Sequence, residues 1–532
     1  SSALLAMGRT DEAIESARTA LELSERTESP ALVLVSLTAL GKALLAKEIW
    51  AEAAAVARRA ADILADTTDR LADESAARAK DMRAEIYAVG VEATARTKEV
   101  AESVFFIEAG RAGALLTGMK NAHALRDAVL PPPLRREEQQ ARSAAAEASA
   151  QLAAARRTGK RRAIRTARDA HRKAEAALQA VVERVQREAK DAAHVVYPRP
   201  ADVGRIRKAL RGDEVLVHFV VTPWNVYVTS VRGDRFESVQ VGAVEEVSDL
   251  IDAALLGEPP YVDEAQFAAL REKLTSELEL VEGAKRVLVS PAPELGHVPF
   301  TLVFPEHDVA YVPSGTVLAF LRERERASGR GVLSLGAPVY TGDPRGLPSL
   351  PETRKEAVAV GEIALLGPEA NELRFWKALE SRPRWRALHF ACHGIVDTKR
   401  PLLSHHALSA TASSDGSLSA LEVLGHEIPA DLVVLSACDT ALGRVYRAEG
   451  VLGLARSFMV SGVPAVLCSQ WKVDDAATRA LMLEFYTLWN PEAGSGLDAA
   501  EALRKAQAHV RSQTQWAHPQ YWAAWVLWGL PD

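Results

Sequence analysis

The chain has 532 residues, 48% of them hydrophobic and 25% charged, with a net charge of −6. That length exceeds a single core and predicts two to four domains, while the charge balance favours neither nucleic acid nor an anionic membrane as a partner. No apolar run approaches the roughly 20 residues of a membrane span, and the opening Ser1-Ser-Ala-Leu-Leu is too short and uncharged for a secretory signal. The sequence opens without an initiator Met, inside what reads as a repeat, and is expected to be a fragment.

Residues 1–125 are rich in Ala, Leu and Glu with helical periodicity. Gly8-Arg-Thr-Asp-Glu-Ala13-Ile14 continues as Ala17 and Ala20-Leu21, so small residues recur at three- and four-residue steps. A second, degenerate copy carries Gly41, Leu44, Trp50, Ala53, Ala57 and Ala60. The pattern resembles the second half of a tetratricopeptide repeat, with a spacing about six residues longer than the usual 34. The alternative is an unspecialised helical bundle. Pro131-Pro-Pro133 then breaks the chain. Residues 126–197 predict a long helical hairpin turning near Thr158-Gly159. Its basic tip spans Arg156 to Arg168; a solvated hairpin end is favoured over a docking patch for nucleic acid or an acidic partner.

Residues 198–280 carry three strand-like runs, at Glu214–Val221, Trp224–Ser230 and Phe236–Val241, followed by two helical segments. They predict an antiparallel meander with helices. From residue 281 to 532 short apolar runs alternate with helical patterns, which predicts a mostly parallel sheet covered on both faces. The strands include Arg286–Ser290, Val309–Val312, Gly331–Leu335, the run ending Ala391-Cys392-His393-Gly394, the run Asp431–Ala437 before Cys438, and Ala465–Gln470. The aromatic stretch Tyr521–Trp528 closes the chain.

Active sites of open α/β sheets gather at the carboxyl ends of strands, where His393 and Cys438 both fall. An adjacent imidazole raises the thiolate fraction of a cysteine and later protonates the leaving amine. The backbone N–H of Gly394, with that of Cys438, is placed to hold an oxyanion. Three cysteines make no disulfide framework, which points to a reducing cytoplasm. Cys392 and Cys468 read as core thiols, and alternation turns Cys392 away from the side of His393. His389 reads as a core histidine, and His405 and His406 as loop or surface residues. A zinc site on Cys392, His393, His405 and Cys438 lacks ligand spacing, so no metal or cofactor is expected.

The segments Leu388-His-Phe-Ala-Cys-His393-Gly394, Leu435-Ser-Ala-Cys438-Asp-Thr, Glu449–Phe458, Ser469-Gln-Trp471-Lys-Val-Asp474-Asp475 and His518-Pro-Gln-Tyr-Trp-Ala-Ala together resemble the CHAT-domain family. The match covers roughly residues 280–532, and the Glu102–Leu116 helix also resembles the usual CHAT context. The resemblance implies a caspase-like and separase-like cysteine peptidase of clan CD, fused to tetratricopeptide-like repeats. It implies His393 and Cys438 as the catalytic dyad; some members have lost one of the two, and this chain keeps both. It also implies a role in bacterial defence or regulated cell death, with a protein activator on the helical region. Asp439, Asp474 and Asp475 are candidates for the substrate pocket, where carboxylates favour Arg or Lys; Trp471 is a candidate wall. Each has a structural alternative, a turn or helix cap for the aspartates and simple packing for Trp471. The expected function is therefore a cytoplasmic endopeptidase with a specific protein substrate. The alternative is a non-catalytic adaptor that keeps the fold without the chemistry.

Overall fold

The computed structural model describes residues 1–27, 29–68, 73–118, 132–158, 160–188, 200–257, 260–324, 326–340, 346–395, 397, 403–412, 414–436, 454–489 and 496–532. The chain divides into two units, residues 1–117 with 122–200, and residues 201–532 with 118–121.

The first unit is helical. Helices Thr10–Arg26, Pro30–Ala46, Trp50–Thr68 and Asp73–Thr97 pack each against the next. Ala13, Ala17, Ala53, Ala57 and Ala60, the small residues of the repeat pattern, are all buried. Short side chains let the helix axes approach closely, so packing here comes from shape rather than bulk. The helices Pro132–Thr158 and Arg161–Glu188 pack along one another, with Leu134, Ala145, Ala148, Leu152 and Leu178 among the buried residues. At the basic tip, Lys160, Arg161, Arg162, Arg165 and Arg168 are exposed; Gly159 lies outside the described residues.

The second unit is built on a sheet. Its strands are β1 (Glu214–Val221), β2 (Asn225–Arg232), β3 (Arg235–Ala243), β4 (Leu255–Leu256), β5 (Tyr261–Val262), β6 (Arg286–Ser290), β7 (Asp308–Tyr311), β8 (Arg330–Gly336), β9 (Ile363–Leu366), β10 (Trp385–Ala391), β11 (Gly394–Ile395), β12 (His405–Ala407), β13 (Ser417–Ser419), β14 (Ala430–Leu435), β15 (Ala465–Ser469) and β16 (Trp525–Gly529). Eleven of them form one sheet in the order β3-β2-β1-β6-β7-β16-β15-β14-β10-β8-β9. The pairs β1–β2, β2–β3 and β15–β16 are antiparallel, and the other seven are parallel. The meander is continuous with the α/β region, because β1 pairs directly with β6. Strands β11, β12 and β13 form a small separate sheet.

Two strands escape the periodic pattern of the sequence. β9 is a four-residue edge strand that follows helix Pro351–Val360 with only Gly361 as a breaker. β16 is a fully buried apolar run and so shows no alternation. Helix starts are better marked. Asp202, Asp263, Ser314, Asn371, Asp474 and Asp498 each accept a backbone N–H of the turn they open.

Gly529 is required where β16 ends. Its φ is +95°, and a Cβ there would sit 2.1 Å from the Pro464 carbonyl oxygen. Gly529→Ala is therefore expected to destabilise this unit by about 2–3 kcal/mol, from left-handed strain and backbone overlap. Chemical denaturation measures it; an unchanged midpoint would show that the β15–β16 junction relaxes freely.

Candidate active site

The parallel pair β10–β14 sets the frame of the site. Phe390 stands opposite Leu435, and the Ser436 N–H donates to the Phe390 carbonyl at 2.9 Å. His393 lies three residues past Phe390, just beyond the end of β10. Cys438 and Asp439, the sequence candidates for nucleophile and pocket, lie outside the described residues.

His393 is buried, and its Nε2 lies 2.9 Å from the Pro348 carbonyl oxygen. A carbonyl only accepts, so Nε2 carries a proton, and Nδ1 is the nitrogen left for other chemistry. A backbone carbonyl thus fixes the tautomer, the service a carboxylate performs in a three-residue triad. The His393 backbone is held by Tyr340. The His393 N–H donates to the Tyr340 hydroxyl at 3.4 Å, and that hydroxyl donates to the Ala407 carbonyl at 3.1 Å. The Tyr340 and His393 rings lie 5.2 Å apart.

Gly394 begins β11 and pairs with His406 of β12. The neighbouring residues share a bond, with the Ala407 N–H donating to the His393 carbonyl at 2.8 Å. Hydrogen-bonded and non-bonded pairs alternate in antiparallel strands, so the Gly394–His406 pair is non-bonded and the Gly394 N–H points away from β12.

The other candidates are less alike. Trp471 is buried, and its indole N–H donates to the Gln520 carbonyl at 2.9 Å, a packing role. Asp474 caps helix Asp475–Leu488 by accepting from the Ala476 and Ala477 N–H groups, both at 3.0 Å. Asp475 is the first residue of that helix. Its carboxyl is held above the usual range by burial, and then by the charges of Asp474, Glu356 and Glu352. Sequence reasoning missed Glu352 and Glu356, as well as Tyr340 and Pro348. All four precede β10 by more than 28 residues along the chain, beyond the reach of any local motif.

His406 departs from its expected place on a loop or the surface. It belongs to β12 and is buried, stacked on Phe390 with centroids 4.9 Å apart. The Cys392 sulfur lies 3.9 Å from its Nδ1, so Cys392 turns toward β12 while the His393 ring turns toward Pro348. His389 and Cys468 are buried, as the sequence predicts. Among the described residues, the one group that meets metal-ligand spacing is Asp308, Asp498 and Glu501. The ammonium of Lys285 already reaches all three, at 3.9, 3.9 and 2.8 Å.

A model of the CHAT domain matches residues 264–530, half of the chain. The chain belongs to the CHAT-domain family. Its sheet unit therefore has the fold of a caspase-like peptidase family, and β10 and β14 lie inside the matched CHAT region. Tetratricopeptide repeat protein 28 of Homo sapiens is 37% identical over 113 residues, 21% of this chain and 4% of that protein. The Mus musculus protein of the same name is 36% identical over 113 residues, with the same shares. The chain thus spans 4% of the length of these curated relatives. Two structures of the Saccharomyces cerevisiae separase–securin complex are similar at 10% identity, with TM-scores of 0.39 and 0.38. They cover 97% and 99% of this chain, and 48% and 56% of theirs. No described helix is long and apolar enough to cross a membrane.

Burial drives the His406 pKa down to about 3. Its NMR signals are expected to show no titration from pH 8 to about 4, against about 6.5 for an unfolded histidine. A depressed folded pKa means that stability is complete above about 6.5 and is lost as pH falls toward 3. His406→Phe is expected to flatten that acid loss; an unchanged slope would place its cause elsewhere.

Proposed function

We propose that the chain is a cysteine endopeptidase that cuts a specific protein substrate with His393 and Cys438. What supports the reading is the register of the parallel pair. His393 lies three residues past Phe390, and Cys438 lies three residues past its partner Leu435. Neighbouring parallel strands that continue equally far deliver their residues to the same edge of a sheet.

In this reading Nδ1 of His393 takes the thiol proton, and the Cys438 thiolate attacks the scissile carbonyl. The N–H groups of Gly394 and Cys438 hold the oxyanion, and the imidazolium then protonates the leaving amine. Pro348 holds the ring in the tautomer that this exchange requires. Asp475 lies near the charges of Asp474, Glu356 and Glu352, and these carboxylates, with Asp439 from the sequence, favour Arg or Lys before the cut. Asp474 has its own structural task as a cap, so Asp439 and Asp475 carry more of this proposal; Trp471 supports the wall by packing. The helical unit, which carries no comparable chemistry, is the proposed docking surface for a protein activator in bacterial defence or regulated cell death.

Proteins co-purified with the full chain supply the substrate for a test. Cys438→Ala and His393→Ala are each expected to lower cleavage by roughly a hundredfold or more while the fold survives. Continued cutting by Cys438→Ala would end the dyad assignment. If instead the partners bind with no cleavage by the wild type, the chain is a non-catalytic adaptor.

A further inference from the structure

One carboxylate oxygen joins the segments that lead into the proposed dyad. Glu356, on helix Pro351–Val360, is buried. Its Oε1 lies 2.9 Å from His389 Nε2 and also accepts from the Ser436 hydroxyl. His389 sits in β10, and Ser436 follows directly after β14. On the other side of the ring, the Tyr486 hydroxyl of helix Asp475–Leu488 is 3.3 Å from His389 Nδ1. Burial and the Glu356 charge raise the Tyr486 pKa, so the phenol keeps its proton and donates it. One neutral tautomer then satisfies the whole set, with Nε2–H donating to Glu356 and Nδ1 accepting from Tyr486.

His389 lies in β10 and His393 just past its end, and the contacts of the two rings turn both to one face. The chain segment 348–356 meets that face twice, through the Pro348 carbonyl at His393 and the Glu356 carboxylate at His389. The same oxygen reaches Ser436, two residues before Cys438. Glu356 bonds His389 rather than His393, so it is no third member of a triad. A carboxylate suits the junction because one oxygen can accept two donors, and an ionised acceptor strengthens both bonds. An apolar residue there would leave a buried imidazole and a buried hydroxyl without their acceptor.

We infer that Glu356 is a positioning residue: it clamps the exits of β10 and β14 to each other and to the Pro348 loop, so that His393 and Cys438 arrive together. Its functional half rests on the peptidase reading above.

Amide exchange on the full chain tests the clamp without reference to catalysis. Glu356→Gln keeps an acceptor of the same shape and removes the charge. The N–H groups of His393 and Ser436, bonded to Tyr340 and Phe390, are expected to exchange roughly tenfold faster. The amides of β6 and β7 serve as the fold control and stay protected. Unchanged exchange at both amides overturns the clamp. Ser436→Ala, which retains the carboxylate, is expected to act in the same direction on His393, and it decides alone if Glu356→Gln unfolds the control strands.

Site-resolved alkylation of Cys438 by iodoacetamide tests the positioning. The rate ratio between chains with His393 and with His393→Ala is expected to fall about tenfold in the Glu356→Gln background. A purely structural carboxylate would lower the melting temperature and leave that ratio intact, which overturns the positioning role. If His393 gives no acceleration in the wild type, the dyad reading falls, and the exchange result alone decides whether the clamp stands.

Discussion

The parallel pairing of β10 with β14 is the constraint on which the rest of the site depends. Its register is held by the ladder through Phe390 and Leu435 and by the bond from Ser436 N–H to the Phe390 carbonyl. Both strands are buried inside an eleven-stranded sheet, third and fourth from its β9 edge. A slip of one residue would turn every side chain to the opposite face, so the apolar strands resist it strongly. Because the sheet cannot slip, Phe390 and Leu435, with Ser436 bonded across, hold a fixed relation. Chemistry placed there needs few further supports.

Those supports come from far along the chain. Pro348 holds the His393 ring, Tyr340 holds its backbone, and Glu356 ties His389 to Ser436. Two of these groups act through a backbone atom or a hydroxyl rather than a charge. Tyr340, Pro348 and Glu356 thus each meet the histidine strand or the residues just past it. These contacts hold the His393 ring and backbone in one orientation.

The strand ends were legible in the sequence because the strands are short apolar runs that stop at small residues. Ala391-Cys392 before His393 and Ser436-Ala437 before Cys438 both mark where a ladder finishes. The core placement of Cys392 and Cys468 followed from alternation and thiol chemistry. The supports of His393 were not legible, since Pro348 and Tyr340 act through tertiary contacts across 45 and 53 residues. His406 was misread because the preceding Pro401-Leu-Leu-Ser404 reads as loop, while β12 finds its partners only in β11 and β13. The meander read as a separate region, since nothing local in Glu214–Val221 announces a parallel partner in Arg286–Ser290. Family membership supports a caspase-like fold; catalysis, the particular residues and the substrate belong to the proposal.

The distance between the Cys438 sulfur and Nδ1 of His393 tests this account most directly. A crystal structure of the full chain with Cys438 alkylated fixes that distance. The account predicts roughly 3–5 Å, hydrogen-bond reach loosened by the adduct. A sulfur more than about 8 Å away, with the β10–β14 register intact, would contradict it, because no proton passes directly between side chains across such a gap.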